Sequence, residues 1–444
     1  MPRPPLDRWL VSRMGLPPDA PTPDRDTLRE WQFRQLRRTI AHARCASPFY
    51  ARRLARVDPD AVRTPQALAM LPRTSADDLR TRPEDFLCVS QDDVARVVTL
   101  SSSGSSGAPK RFFFTSGDLE RTIEFFRHGM ESIVPPDETV LALLPGNRPG
   151  GVGKLFAEAV ARRGATAVFA DDASNIPDVL DLLWTSRASC IIGSPVHVQA
   201  VAKLWRHLGL ERGIIRSALM CWDTLSGAAA TTIARAFGCD IFTHWGMTET
   251  CLGGAVDCAA GSGMHLREPD FLMEITDQDT GLPVPDGVYG EIVITTLSRR
   301  AMPLIRYRTG DMGRLVPGTC ACGSPLRRLA DVPGRIGHAT ILPDNTPLHQ
   351  AELDELLLRI PDVLDLQASL NPARPVLTLE IDTLPGADPS RTVRNAAALI
   401  PKIVHARQTC GLTIETCVRH SDGRIGSGFE KRAITSSTPE VATT

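Results

Sequence analysis

The chain has almost no net charge: 50 basic and 51 acidic residues in 444 leave a formal charge of −1. That balance offers no electrostatic footprint for nucleic acid or for an anionic membrane surface. No run approaches the roughly 20 apolar residues of a membrane span. Residues 1–7 (MPRPPLD) have no apolar segment behind them, so a secretory signal is not expected. The expected compartment is the cytoplasm. Lysine is scarce, and after Lys402 only Lys431 remains. The 11 cysteines are odd in number and irregularly spaced. This argues against a secreted disulfide framework and marks most of them as small, reduced core residues. What remains is ordinary for a globular protein, 42% hydrophobic and 23% charged. Its length exceeds the ~150 residues of an average domain.

The first ninety residues read as helices, with Leu28, Trp31, Phe33, Leu36 and Ile40 in helical rhythm. Capping chemistry at Thr74-Ser75 predicts short helices on either side of Pro72. Short apolar runs at 140–144, 165–169, 190–193 and 241–245 alternate with helical patterns at 155–163, 176–183, 197–208 and 228–237. That alternation predicts an α/β layered fold with substantial parallel sheet. Strands at 271–275 and 290–295 flank a Pro-Asp-Gly turn at 285–287. The pattern restarts near residue 334. An amphipathic stretch at 349–358, strands at 366–370 and 376–381, a helix over 390–405 and a strand at 412–418 make a compact α+β unit. The expected architecture is a large multi-layer N-terminal domain (1–336) and a small mobile α+β C-terminal domain (337–444), hinged at 332–338.

Three segments carry chemistry. Residues 101–110 (SSSGSSGAPK) join two apolar strands and pack Ser102, Ser103, Gly104, Ser105, Ser106, Gly107 and Lys110 into one loop. Backbone N–H groups, hydroxyls and a lysine suit an anion, although the spacing is not the GxxxxGK[ST] pattern. The alternative is a flexible Ser/Gly linker. Residues 244–249 (HWGMTE) offer an aromatic face in Trp245, a hydroxyl in Thr248 and a hard oxygen for Mg²⁺ in Glu249. In residues 306–311 (RYRTGD), Asp311 stands behind a Thr-Gly turn, where a carboxylate can accept both hydroxyls of a ribose. Taken singly, the second segment is more often packing than function, and the third is a weak signal because Gly-Asp turns are common.

In this order and spacing the three segments resemble the adenylate-forming superfamily, and within it the phenylacetate–CoA ligase family. Further carriers of the likeness are SPFY at 47–50, GMHL at 263–266, TTLSRRAMPLIRYRTGD at 295–311 and CACG at 320–323. The resemblance covers nearly the whole chain. It implies an enzyme that makes an acyl-adenylate from ATP and a carboxylate, then passes the acyl group to the thiol of CoA. By this likeness the loop 101–110 cradles the β- and γ-phosphates, and Thr248 and Glu249 match the phosphate and Mg²⁺ positions. Trp245, with Gly246 and Met247 beside it, matches an aromatic stacked on adenine. Asp223 matches an acidic residue near the adenine, Asp311 the ribose ligand and Arg335 a ribose or phosphate contact. Lys431 matches the late lysine that bridges the carboxylate and the α-phosphate, where the pentavalent phosphorus concentrates negative charge. For Asp223 a capping or turn role stands beside this, and for Lys431 a solvated tail charge.

The chain departs from that family pattern at Gly337-His338, where acids are usual, and at 342–348 (LPDNTPL), where a glycine-rich stretch is usual. These departures keep open a carrier-protein thiol or an amine as acceptor, and a catalytically silent nucleotide-binding relative is the alternative of another class. Cys258, His265, Cys320 and Cys322 form a Cys₃His set that suits structural Zn²⁺; the other reading is reduced cysteines in a turn with His265 hydrogen-bonded in place. Residues 144–154, with Arg148, are candidates for the acid pocket. His128, His197 and His207 read as surface or satisfied residues. The expected partners are a small organic acid, aromatic or otherwise, and a CoA or carrier thiol, with a homodimer left open.

Overall fold

The computed structural model describes residues 4–100, 109–146, 151–337, 339–371, 374–428 and 432–436. The chain folds into two compact units. One gathers Met1–Pro136, Pro149–Gly164 and Phe242–Arg335; the other gathers Asp137–Arg148, Ala165–Ile241 and Ile336–Thr444. The parallel strands are thus grouped with the C-terminal stretch, a grouping different from the division at 336/337. Among the described residues no helix is long and apolar enough to cross a membrane.

The first unit is helical at its start. Asp24 accepts from Thr27 N and starts the helix Arg25–Ala46, whose Leu28, Leu36 and Ile40 are buried. A capping box between Thr115 and Asp118 starts Ser116–Gly129. Strands Arg96–Leu100 and Lys110–Phe114 pair antiparallel with Leu100 opposite Lys110, so residues 101–109 join their ends. A second antiparallel sheet runs in the order Phe271–Thr276, Gly290–Thr296, Tyr307–Gly313, Gly334–Arg335. The turn at 285–287 forms as expected: Val288 N donates to Pro285 O at 3.1 Å, and Gly287 sits at φ 88°. The RYRTGD segment is a strand and not a free turn. Tyr307, Thr309 and Asp311 alternate onto its buried face, and the pairing slips around Gly310 (φ 76°). Phe112, Phe114, Ile292, Ile294 and Leu304 fill the core around it.

The second unit holds four parallel strands in the order Thr166–Phe169, Thr139–Ala142, Cys190–Gly193, Ser217–Met220. Of the inner two, Cys190–Gly193 is buried throughout and Thr139–Ala142 from Val140 onward, as parallel strands covered on both faces require. Helices Ile176–Ser186, Pro195–His207 and Gly227–Phe237 contribute Leu183, Val201 and Ile233 to the same core. Ser217–Met220 was not expected, because four residues with a polar start carry too little periodicity. The C-terminal stretch of this unit adds a sheet in the order Thr413–His420, Val376–Thr383, Val363–Asn371, Thr435–Ser436, over an apolar core that also takes in Val196 of the helix Pro195–His207. The single helix expected over 390–405 is two, Ser390–Ala397 and Pro401–Cys410. Pro401 lacks an N–H and drives Ile400 to ψ 122°, out of the helical region.

Within this unit Lys203 and Gln199 hold the segment that follows another helix. Gln199 Nε2 donates to Leu358 O at 2.8 Å. Lys203 Nζ donates to Leu358 O at 2.8 Å, to Ile360 O at 2.9 Å and to Val363 O. These carbonyls belong to the C-cap residue and the segment after Gln350–Leu357, where no intrahelical N–H reaches them. Burial lowers the Lys203 ammonium to about 7, with Asp362 and Asp365 opposing the shift.

Candidate active site and a cysteine–histidine cluster

In the first unit three of the chemical segments meet. Lys110 Nζ donates to Glu249 Oε1 at 2.6 Å, and the Tyr307 hydroxyl donates to the same oxygen at 3.0 Å. Glu249 is 2% exposed, so this buried carboxylate depends on the two donors. Burial, then the Glu249 charge, pushes the Tyr307 hydroxyl well above its ordinary value and keeps it a donor. Glu249 sits in the single turn Thr248–Thr250 just after the strand Asp240–Trp245. That turn is closed by Met247 N donating to Thr250 Oγ1 at 3.1 Å and Thr250 N to Met247 O at 3.0 Å. Gly246 is required there, since a Cβ would lie 2.5 Å from Leu252 O. Cys251 and Leu252 follow in left-handed conformation, at φ 55° and 71°.

A second carboxylate lies on the same strand as Tyr307. Asp311 accepts from Arg335 Nε at 2.8 Å and from Trp245 Nε1 at 3.1 Å. Burial works against the Arg335 charge, but Asp311, with smaller help from Glu249 and Tyr307, raises the guanidinium above its ordinary value. Trp245 is buried against Gly254, where a Cβ would meet its ring at 2.6 Å. The structure therefore joins Lys110, Glu249 and Tyr307 in one cluster and Trp245, Asp311 and Arg335 in another.

Asp223 belongs to the other unit. It lines a pocket there with Ser194, His197, Trp222 and Arg432. Trp222 is in left-handed conformation (φ 71°), and Asp223 Oδ1 accepts from Thr224 N at 2.9 Å. His197 is satisfied, with Ser194 Oγ at 2.6 Å and the Ser427 carbonyl at 3.0 Å. His207 is exposed, and buried His128 lies 3.0 Å from Glu131. Ser102, Ser103, Gly104, Ser105, Ser106, Gly107, Arg148, His338 and Lys431 lie outside the described residues.

The four ligand atoms of Cys258, His265, Cys320 and Cys322 lie within 4.8 Å of one another. Cys258 Sγ and Cys320 Sγ are 3.7 Å apart, and Cys322 Sγ is 3.4 Å from His265 Nε2. A tetrahedron with Zn–S of ~2.3 Å and Zn–N of ~2.0 Å has edges of roughly 3.8 and 3.5 Å. The donor set and its spacing therefore fit a zinc ion. His265 Nδ1 lies 3.3 Å from Leu326 O, the bond that turns Nε2 toward the thiols. Burial lowers the imidazole to about 4, which keeps it in the neutral form a metal needs.

Comparison with known proteins places the chain. The family model described as AMP-binding enzyme matches residues 36–298. Phenylacetate-coenzyme A ligase of Thermus thermophilus is 31% identical over 356 residues, 78% of this chain and 79% of that protein. The chain belongs to the AMP-binding enzymes, in the phenylacetate–CoA ligase family. Phenylacetate-coenzyme A ligase of Aromatoleum evansii is 26% identical over 424 residues, 92% of this chain and 94% of that protein. The ligase of the same name from Escherichia coli is 29% identical over 320 residues, 70% of this chain and 71% of that protein. A solved 2-hydroxyisobutyryl-CoA ligase, in the postadenylation state with R3-HIB-AMP, matches with a TM-score of 0.75 at 18% identity. It covers 92% of this chain and 89% of that one, and speaks for the fold.

For this AMP-binding enzyme, sequence reasoning missed Tyr307 and Arg299. Period-two spacing from Asp311 through Thr309 back to Tyr307 was the signal for the first. Arg299 had none: its partners are main-chain carbonyls, Glu249 O at 3.0 Å and Phe113 O at 3.4 Å.

Proposed function

We propose that this member of the AMP-binding enzymes is an ATP-dependent carboxylic acid–CoA ligase acting through an acyl-adenylate. A carboxylate oxygen attacks the α-phosphorus of ATP and pyrophosphate leaves. The thiol sulfur of CoA then attacks the acyl carbon and AMP leaves. One observation carries the reading: Lys110 and Tyr307 converge on Oε1 of Glu249, beside the strand that presents Asp311. This arrangement holds an ammonium for phosphate, and among the described residues no bond to Oε2 of Glu249 competes with a cation. Mg²⁺ there would offset charge on the β- and γ-phosphates. The adjacency of Trp245 and Asp311 supports their roles beside adenine and ribose. Arg335, already paired with Asp311, would swing to the nucleotide or hold the carboxylate in place.

By resemblance, Lys431 stabilises the charge on the α-phosphorus, Thr248 contacts phosphate and Asp223 lies near the adenine. By the same resemblance residues 337–444 act as a mobile lid; the four-stranded sheet made only from this stretch supports that reading. The acid is small and aromatic, by analogy with the phenylacetate ligases. The relatives named above are coenzyme A ligases, which favours CoA over a carrier protein or amine. The Cys258–His265–Cys320–Cys322 set would hold structural zinc, since four protein ligands leave no open position. A cytoplasmic location and a homodimer complete the proposal.

Pyrophosphate exchange across a panel of aromatic and aliphatic acids, followed by acyl-CoA detection with and without CoA, tests the reading. Exchange with at least one acid and CoA-dependent thioester are expected. Adenylate without any acyl-CoA would refute the CoA step, and absence of exchange across the panel would refute the enzyme.

A further inference from the structure

Arg299 is buried, at 4% exposure, without a carboxylate partner among the described residues. Its guanidinium lies over two rings, 4.5 Å from the centroid of Phe114 and 5.7 Å from that of Phe112. Its two terminal nitrogens donate in different directions. Nη1 reaches Glu249 O at 3.0 Å, and Nη2 reaches Phe113 O at 3.4 Å. Phe113 lies on Lys110–Phe114, the strand that begins with Lys110. The two carbonyls therefore belong to the two segments whose side chains make the Lys110–Glu249 pair.

The loop that presents Arg299 is itself fixed. Arg300 N and Ala301 N donate to the two oxygens of Asp118, at 2.9 and 3.2 Å. Cys88 N donates to Ala301 O at 2.8 Å, and Thr39 Oγ1 to Leu297 O at 3.0 Å. A buried cation that lacks a counter-charge is costly compared with an apolar side chain of similar volume. Its planar fork is what an apolar residue or a lysine cannot supply, because two donors must reach two carbonyls from one rigid group.

We infer that Arg299 is a positioning residue for the phosphate and metal end of the nucleotide site. It sets the separation of the Lys110 strand from the Glu249 turn, and through it the geometry of the cation and ammonium around the β- and γ-phosphates. The inference rests on the function proposed above. It predicts an effect that depends on those phosphates and spares AMP, whose ribose faces Asp311.

The test is nucleotide binding by calorimetry on the full chain, without acid or CoA, for wild type, Arg299→Met and Arg299→Lys. MgATP binding is expected to weaken about tenfold in both variants, as for loss of a charge-assisted hydrogen bond. The Mg²⁺ concentration for half-maximal ATP binding should rise by a similar factor, and AMP affinity should stay within twofold. If Arg299→Met fails to fold, Arg299→Lys keeps the charge and the bulk and loses only the two-armed bridge. Equal weakening of MgATP and AMP, or unchanged MgATP binding in Arg299→Lys, would overturn the role. Wild-type protein that binds neither nucleotide would instead overturn the proposed function on which the inference stands.

Discussion

Removing one thiol from the Cys258–His265–Cys320–Cys322 set should cost stability far out of proportion to the side chain lost. Cys322→Ser leaves the local packing almost unchanged in volume, so its effect reports the metal. A bound ion would tie Cys258 to Cys322 across roughly 65 residues; a permanent cross-link of that length is worth about 4 kcal/mol by the chain-entropy relation, and an ion released on unfolding contributes its binding free energy, at least of that order. For a unit of this size each kcal/mol moves the melting temperature by roughly 2–4 °C, so the expected loss is on the order of 10 °C. Metal analysis should find zinc near one equivalent per chain in wild type and a small fraction of that in the variant. Calorimetry should show the same loss in wild-type protein treated with a tight zinc chelator, with no further loss when the variant is treated. Wild type with negligible zinc, or a variant that melts with wild type, would refute the reasoning.

Three other outcomes follow from the geometry. Tyr307→Phe removes the 3.0 Å donor to Glu249, and KM for MgATP should rise roughly tenfold while KM for CoA holds; equal changes in both would count against a role at the metal end. Gly246→Ala places a Cβ 2.5 Å from Leu252 O, so the turn holding Glu249 must shift and pyrophosphate exchange should fall at least about tenfold; normal exchange would show that the turn adapts. Lys203 is lowered to about 7 in the fold, while the unfolded chain titrates near 10.5. Between these values the unfolded chain binds more protons, so this residue's contribution to stability rises with pH, by up to about 1.4 kcal/mol per unit. The stability of wild type relative to Lys203→Met should therefore increase from pH 7 to 9, and a difference flat in pH would contradict the assignment.

The parts of this fold that were legible in the sequence are those whose signal is local. Parallel strands such as Cys190–Gly193 announce themselves as apolar runs between helices, and Ser75 marks a helix start by capping chemistry. Ser217–Met220 was hidden because its pairing with Cys190–Gly193 and its burial define it, and neither is local. The split at Pro401 was legible in principle, but the apolar rhythm across it was stronger than the proline. In the site, Lys110, Glu249 and Asp311 were recognisable by residue type in a motif. Tyr307 and Arg299 act through contacts made across 58 and 50 positions, which no window of sequence contains.

The Lys203 bridge bears on how this enzyme can be taken apart. The chain that leaves Gln350–Leu357 is held at Leu358, Ile360 and Val363 by an amine that lies about 150 positions earlier, on a helix whose residues Pro195 to Trp205 are all buried. A recombinant fragment that begins after residue 336 would lack that donor, and its carbonyls at Leu358, Ile360 and Val363 would face solvent. Chimaeras that exchange the C-terminal stretch between related ligases should therefore carry Pro195–His207 with it, or retain a lysine at 203 in the recipient. Otherwise the graft joins two compatible sequences across an incompatible cap.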